Sequence, residues 1–325
     1  MNEKGLAVLE QYDLDIRNAR RGRDSFLIDT DKGWKILTEF SGTEARLQFQ
    51  SRVMEHLKRQ GMDRLDFPIA DKEGNFLVKD KDEITYVLRE WHEGRECDAR
   101  NLADVQEAMR SLAFLHRCFV FPDVESEKYA GEISLKEEFS RKNTELRKIR
   151  KFIRSRKQKN PFEQEFLKRF EEFYEEAKSA EEAASSKGEG TLYAESLQKG
   201  CLCHGDFNHH HVLLSDEGTA LIEFRHCHYG IQVGDFYQFF RKILEKTSWD
   251  FTYGTAMLRE YNRVRPLSES ERNHLKMRLL YPEKFWKLAN HYYGSNKAWL
   301  PVKNMEKLEM LTAQRKQKKA FLEKL

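Results

Sequence analysis

Long apolar runs are missing from this sequence. No stretch approaches the roughly 18 consecutive apolar residues that cross a bilayer, so no membrane span is expected. The segment from Met1 to Asp15 alternates charged and apolar side chains and lacks the apolar core of a secretory signal, which points to a cytoplasmic protein. Cysteine is scarce: five residues, an odd count at irregular spacing, argue against a disulfide framework and for reduced thiols. A strong charge of one sign is also absent. The formal net charge of +3 gives no call for nucleic acid or an anionic membrane as partner.

What is present is a chain of 325 residues, 39% hydrophobic and 34% charged, long enough for two domains with a real core and a charged surface. Ser25–Asp29 and Trp34–Leu37 are short β-rich runs around the turn residues Thr30-Asp31-Lys32-Gly33, a β-hairpin pattern over 25–40. Residues 43–60 switch to helical period on Leu47, Val53, Met54 and Leu57, with Gly61 as a stop. A second hairpin follows, from Asn75–Val78 through a charged turn to Ile84–Leu88. From Asn101 the pattern is mostly helical, with Val105, Met109, Leu112, Ala113, Leu115 and His116 on one face.

Residues 134–184 read as a long helical hairpin. Arg141 to Lys159 holds ten basic residues against the single acid Glu145, and Glu163 to Glu182 holds eight acids. A nucleic-acid surface is the sharp reading of the basic arm. A salt-bridged surface hairpin explains both runs at once, with Leu146, Ile149, Phe152 and Ile153 as its apolar stripe. Ser185-Ser186-Lys187-Gly188-Glu189-Gly190 reads as a flexible loop, and no fixed-period repeat is present.

The chemistry concentrates in Cys203-His204-Gly205-Asp206-Phe207-Asn208-His209-His210-His211-Val212-Leu213-Leu214, a turn, and then Ala220-Leu221-Ile222-Glu223-Phe224. A tight loop feeds an apolar strand, a turn, and a second strand that ends in a carboxylate. Kinase-like phosphotransferases use this arrangement: a loop Asp orients the attacking hydroxyl, and two later residues hold the metal ions that bridge the phosphates. The frame resembles the aminoglycoside-phosphotransferase and choline-kinase pattern, as does Leu112-Ala113-Phe114-Leu115-His116. Arg89–Glu96, Tyr281–Tyr293 and Lys297-Ala298-Trp299 resemble, more narrowly, the spore coat protein S (CotS) family, over roughly Val8 to Leu325.

The resemblance implies an α+β, bilobal, protein-kinase-like fold: residues 1–88 as an N-terminal lobe with a small antiparallel sheet, residues 89–325 as a mainly helical C-terminal lobe. It implies a spore coat or sporulation role on the mother-cell side, with other coat proteins as partners. Asp206 takes the place of the base or orienting residue, while His204 and Asp235 support the loop. The backbone near Leu88, Arg89 and Glu90 would meet an adenine.

Three departures fall on phosphate and metal handling. His211 replaces the metal-binding Asn, and imidazole is a poor ligand for hard Mg²⁺. Glu223 replaces the second metal-binding Asp. The first-hairpin Lys that would pair with phosphates aligns with Thr38; Lys35, three residues earlier, faces the other way by strand alternation. The turn at Gly22, between Arg21 and Arg23, supplies no glycine-rich cradle, although either arginine is a rescue for the missing Lys. The expectation is a pseudokinase with weakened ATP and Mg²⁺ sites. The alternative is an active phosphotransferase on a small hydroxylated molecule, using Asp206, Glu223 and His211.

A different class is a transition-metal protein. Cys201, Cys203, His204, His209, His210, His211, His226, Cys227 and His228 fall within 28 residues, but no C-x-x-C pair is among them, so zinc is the weaker reading. Trp286, Tyr292, Tyr293 and Trp299 are candidates for a partner surface, although Phe285, Leu288, Ala289 and Tyr292 fall on core spacing. His92-Glu93-Gly94 reads as a hinge.

Overall fold

The computed structural model describes residues 3–22, 24–122, 126–131, 134–185, 188–294 and 302–325. They form two compact units: Met1–Phe121 with Leu202–His228, and Pro122–Cys201 with Tyr229–Leu325. The division does not follow one cut at Leu88, because the chain leaves the first unit and returns to it with the 202–228 segment. Arg23, Ser186, Lys187, Lys297, Ala298 and Trp299 lie outside the described residues.

In the first unit, β1 (Ile16–Arg21), β2 (Ser25–Thr30) and β3 (Gly33–Glu39) run antiparallel. β4 (Pro68–Ile69), β5 (Val78–Lys79) and β6 (Thr85–Glu90) complete a six-stranded sheet in the order β1-β2-β3-β6-β4, with β5 also on β6. The hairpin between β2 and β3 closes at Thr30 opposite Gly33, whose φ of 86° is a left-handed conformation that glycine takes without strain. Alternation then sorts the strands. Phe26, Ile28, Leu37, Tyr86 and Leu88 point into a core shared with Val8, Leu9 and Tyr12, while Ile36 and Thr38 face the other way, into a cavity.

Helix α1 (Glu44–Arg59) starts at Thr43, whose side chain accepts the Arg46 amide, an N-cap that satisfies an otherwise orphaned donor. Helix α2 (Leu102–Cys118) is capped likewise by Asn101 and buries Leu112, Ala113, Leu115 and His116. The returning segment contributes β8 (Leu202–Cys203), β9 (Val212–Ser215) and β10 (Gly218–Leu221). The last two form a small sheet with β7 (Arg95–Glu96), in the order β10-β9-β7.

The second unit is helical. α3 (Leu135–Ser155) and α4 (Pro161–Ala183) form the expected hairpin, and Asn160 and Glu163 make a reciprocal capping box at the start of α4. α5 (Gly188–Lys199), α6 (Val233–Lys246), α7 (Phe251–Val264), α8 (Glu269–Leu280), α9 (Glu283–Gly294), α10 (Val302–Ala313) and α11 (Arg315–Glu323) follow. The loop read over Ser185–Gly190 is therefore replaced from Gly188 onward by the first turn of α5.

The hairpin is not a surface appendage. Its inner faces carry Phe139, Leu146, Ile149, Phe166, Phe170 and Phe173 into a core with Tyr281, Phe285 and Leu288. Phe285 stacks on Phe166 and Phe173 at ring-centroid distances of 5.0 and 4.5 Å. Phe152, read as part of the stripe, is 42% exposed. Arg156 reaches across to Glu163 at 3.0 Å, and Arg150 pairs with Glu171. The acids Glu172 and Glu176, however, bind Arg315 of α11 at 2.7 and 2.6 Å. Lys142 is buried between Glu138 and Glu283 at 2.5 and 2.7 Å. The two charge runs thus serve tertiary contacts as well as each other. Trp286 and Tyr292 pack against the same core, while Tyr293 is 52% exposed. No described helix is long and apolar enough to cross a membrane.

Candidate functional site

One loop and one cavity in the first unit hold His204, Asp206, His211, Thr38, Arg89 and Glu223 of the residues singled out by the sequence. His204 is fully buried, and both of its ring nitrogens are engaged: Nε2 lies 3.0 Å from the Ile222 carbonyl oxygen, and Nδ1 accepts the Asp206 amide at 3.2 Å. His204 therefore ties the loop to the strand end that leads to Glu223. Gly205, at φ 82°, turns so tightly that a Cβ there would fall 2.2 Å from the His226 carbonyl oxygen. Only glycine fits that backbone.

The turn leaves the Asp206 side chain 39% exposed, with Oδ1 accepting from Asn208 Nδ2 at 3.3 Å and Oδ2 3.6 Å from His211 Nδ1. His211 is held inward, with Nδ1 2.8 Å from the Asp206 carbonyl oxygen and 2.9 Å from Asn208 Nδ2.

Glu223 has left-handed backbone angles, φ 71° and ψ 49°, uncommon for a residue with a side chain. Its amide donates to the buried Asp66, at Oδ2, at 3.0 Å, a contact that holds the turn. The single helical turn after it brings Arg225 back over the carboxylate, and both Nε and one terminal nitrogen of Arg225 lie 2.5 Å from Glu223 Oε2. The Arg225 carbonyl is fixed in turn by Gln50 Nε2 at 3.0 Å and by Arg46 at 3.4 Å, both from α1. Arg46 also binds the Cys227 carbonyl.

Above this turn lies a cavity of about 210 Å³ with apolar walls from Ile36, Val87, Trp91 and Ile222 and charged or polar groups from Thr38, Arg46, Gln50, Asp66, Arg89 and Glu223. Asp66 is 5% exposed. Burial pushes its carboxyl up to about 6, against the pull of the Arg89 guanidinium. Its Oδ1 has no hydrogen-bond partner among the described residues. Arg89, also buried, donates to neutral oxygens, the Asp66 carbonyl at 3.4 Å and Gln50 Oε1 at 3.3 Å.

Of the five residues named for nucleotide, Thr38 and Arg89 line this cavity. Leu88 is packed in the sheet core, and Lys35 is buried on the face opposite Thr38, paired with Glu90 at 2.7 Å. The backbone of 88–90 is moreover engaged in the ladder: Leu88 and Arg89 pair with both β3 and β4, and Glu90 pairs with Lys35 while its amide donates to the Phe67 carbonyl. Trp91 is the first residue beyond the strand that faces the cavity. Gly94 sits against β9, where a Cβ would approach the Leu214 carbonyl oxygen to 3.0 Å. Asp235 lies in the second unit, buried in the first turn of α6.

The cysteines and histidines do not gather. Cys97, Cys203 and Cys227 are buried and outside any disulfide. His210 pairs with Glu96, and His228 Nδ1 lies 2.8 Å from the His226 carbonyl oxygen. Among the described residues no group of three or more His, Cys, Asp or Glu side chains could hold a metal ion. Hard Mg²⁺ wants octahedral oxygen ligands, whereas here one carboxylate is already clamped by an arginine and its partner residue is an imidazole bonded to its own loop. The residues do not fit that cation.

Sequence reasoning missed Arg46, Gln50, Asp66 and Arg225. The available signal was on α1, where Arg46 and Gln50 stand four apart beside the apolar stripe and so share one face. Asp66 carried none.

A model of the family described as "Spore coat putative kinase YutH" matches residues 6–325. Spore coat protein S of Bacillus subtilis (strain 168) is 23% identical over 325 residues, covering 95% of this chain and 89% of that one. Among solved structures, an aminoglycoside phosphotransferase from Alicyclobacillus acidocaldarius superposes with a TM-score of 0.87 at 19% identity, over 98% of this chain and 94% of that one. The AMP-bound spectinomycin phosphotransferase APH(9)-Ia gives 0.69 at 10% identity, over 96% of each chain. Amicoumacin kinase hAmiN in complex with AMP-PNP, Ca²⁺ and Ami gives 0.62 at 13% identity, over 98% of this chain and 94% of that one. The fold, an antiparallel sheet in the N-terminal part and helices in the C-terminal part, is the kinase-like fold of the aminoglycoside phosphotransferases.

Proposed function

The chain belongs to the YutH family of spore coat kinase-like proteins, and from that premise we propose that it works in the coat as a pseudokinase, its phosphotransfer centre reduced to a loop and a cavity. The observation that carries this reading is the Glu223 carboxylate, neutralised by Arg225 rather than left open to a metal. Without a cation bridging the phosphates, no γ-phosphate is held in line with the hydroxyl that Asp206 would orient. The position of Thr38, a neutral side chain on the strand face turned to the cavity, and the burial of Lys35 support the same reading. The role is then one of assembly on the mother-cell side, with other coat proteins as partners.

The rival, an active kinase for a small hydroxylated molecule, rests on Asp206, which keeps its place on the loop with an accessible carboxylate. ATP turnover separates the two. With Mg²⁺ or Mn²⁺ and a panel of hydroxylated small molecules, the pseudokinase reading expects no turnover above that of Asp206→Asn. Metal-dependent turnover that vanishes in Asp206→Asn would establish the kinase instead.

A further inference from the structure

Glu223 and Arg225 are two residues apart, and the turn between them is held from outside. The Asp66 carboxylate takes the Glu223 amide, and the Gln50 and Arg46 side chains take the Arg225 carbonyl. The guanidinium is thereby set on Oε2 by two nitrogens before any ligand arrives. Both residues line the cavity, together with the Arg46 and Arg89 guanidiniums.

We propose that Arg225 stands in for the divalent cation at Glu223, so that the cavity takes a phosphate-bearing ligand without metal. This inference rests on the pseudokinase reading and gives it a ligand class. The chemistry is complementary. A metal ion would both cancel the Glu223 charge and present positive charge to phosphate oxygens. A guanidinium does the first through two N–H groups on the carboxylate, and its planar fork is suited to phosphate as well. Arg46 and Arg89, on α1 and β6, border the same space. A covalently attached cation also needs no octahedral shell of oxygens, which this site does not supply.

The test uses the full-length protein and two probes, ATP and tripolyphosphate, each titrated in EDTA and again in Mg²⁺, with affinity read by calorimetry. Wild type is expected to bind with the same affinity, within about twofold, in both buffers. Arg225→Gln, a substitution at a side chain 58% exposed and so harmless to folding, is expected to lose about tenfold in EDTA, the loss of a charged hydrogen bond. In Arg225→Gln, Mg²⁺ is expected to restore part of that loss through the freed Glu223, and no restoration in the Glu223→Gln, Arg225→Gln double variant. A parallel readout needs no nucleotide: Mn²⁺ titration followed by electron paramagnetic resonance should show tighter binding in Arg225→Gln than in wild type.

Binding of both probes would identify the phosphate chain as the recognised group, and binding of ATP alone a nucleotide; either supports the proposal if Arg225 governs it. Three results would overturn it: wild type that binds only with metal, Arg225→Gln that binds as wild type does in EDTA, or no binding of either probe. The last leaves the pseudokinase reading intact, whereas metal-dependent turnover would remove both.

Discussion

Asp66→Asn tests the electrostatics of the cavity directly. The wild-type carboxyl is buried and raised from its ordinary 3.8 to about 6, chiefly by loss of solvent. Protonation is therefore easier in the folded protein than in the unfolded chain, and the native state binds the extra proton between those two values. Stability contributed by this group is full below pH 3.8, declines as pH rises, and is lost once pH passes about 6. At ~1.36 kcal/mol per pH unit the complete effect is about 3 kcal/mol, of which about 2 falls between pH 4.5 and 7.5.

Asn is the neutral isostere and keeps an oxygen for the Glu223 amide. The variant should therefore gain on wild type as pH rises, by about 2 kcal/mol between pH 4.5 and 7.5. Urea unfolding followed by tryptophan fluorescence at several pH values measures it. The difference between the two proteins isolates Asp66, because Glu138, Glu271, Glu283 and Asp104, held low by cationic partners that offset their burial, titrate alike in both. A difference that stays flat with pH, or that moves in favour of wild type, would refute the argument that burial rather than Arg89 dominates this carboxyl.

Two further substitutions probe the loop and the helical unit. Gly205→Ala places a methyl group 2.2 Å from the His226 carbonyl oxygen at φ 82°, so thermal unfolding should show a loss of about 2 kcal/mol or more; a loss below about 0.5 kcal/mol would mean that the loop yields freely. Lys142→Ala takes the 2.7 Å ammonium from the buried Glu283 carboxylate, which is left with Lys287 at 3.5 Å, and leaves Glu138 with Arg278 at 3.2 Å. It should cost about 2–3 kcal/mol in chemical denaturation, while a cost under about 1 kcal/mol would show that the remaining cations hold the cluster.

The first hairpin, α1, α2 and the 134–184 helical pair were legible because each buries one face, and burial on one face writes a period of two or of about 3.6 into the residue order. Strand β1 escaped notice for the converse reason. It is an edge strand, its Ile-Arg-Asn-Ala-Arg-Arg residues are mostly exposed, and nothing in it alternates. The Gly188 helix was masked by glycine and serine at its start, where composition argues for a loop and tertiary packing prevails.

The loop motif marked Asp206, His204 and Glu223 because tight turns and strand ends need particular residues at fixed spacing. The sequence also separated Lys35 from Thr38, since strand alternation is a local rule. What local rules could not supply was the company these residues keep. Gln50 and Arg46 meet the turn at Arg225 across 175 and 179 positions, and Asp66 meets Glu223 across 157. Contacts of that range leave no periodicity behind. They exist only once sheet, helix and loop have packed, and it is that packing that holds the turn on which Arg225 meets the Glu223 carboxylate.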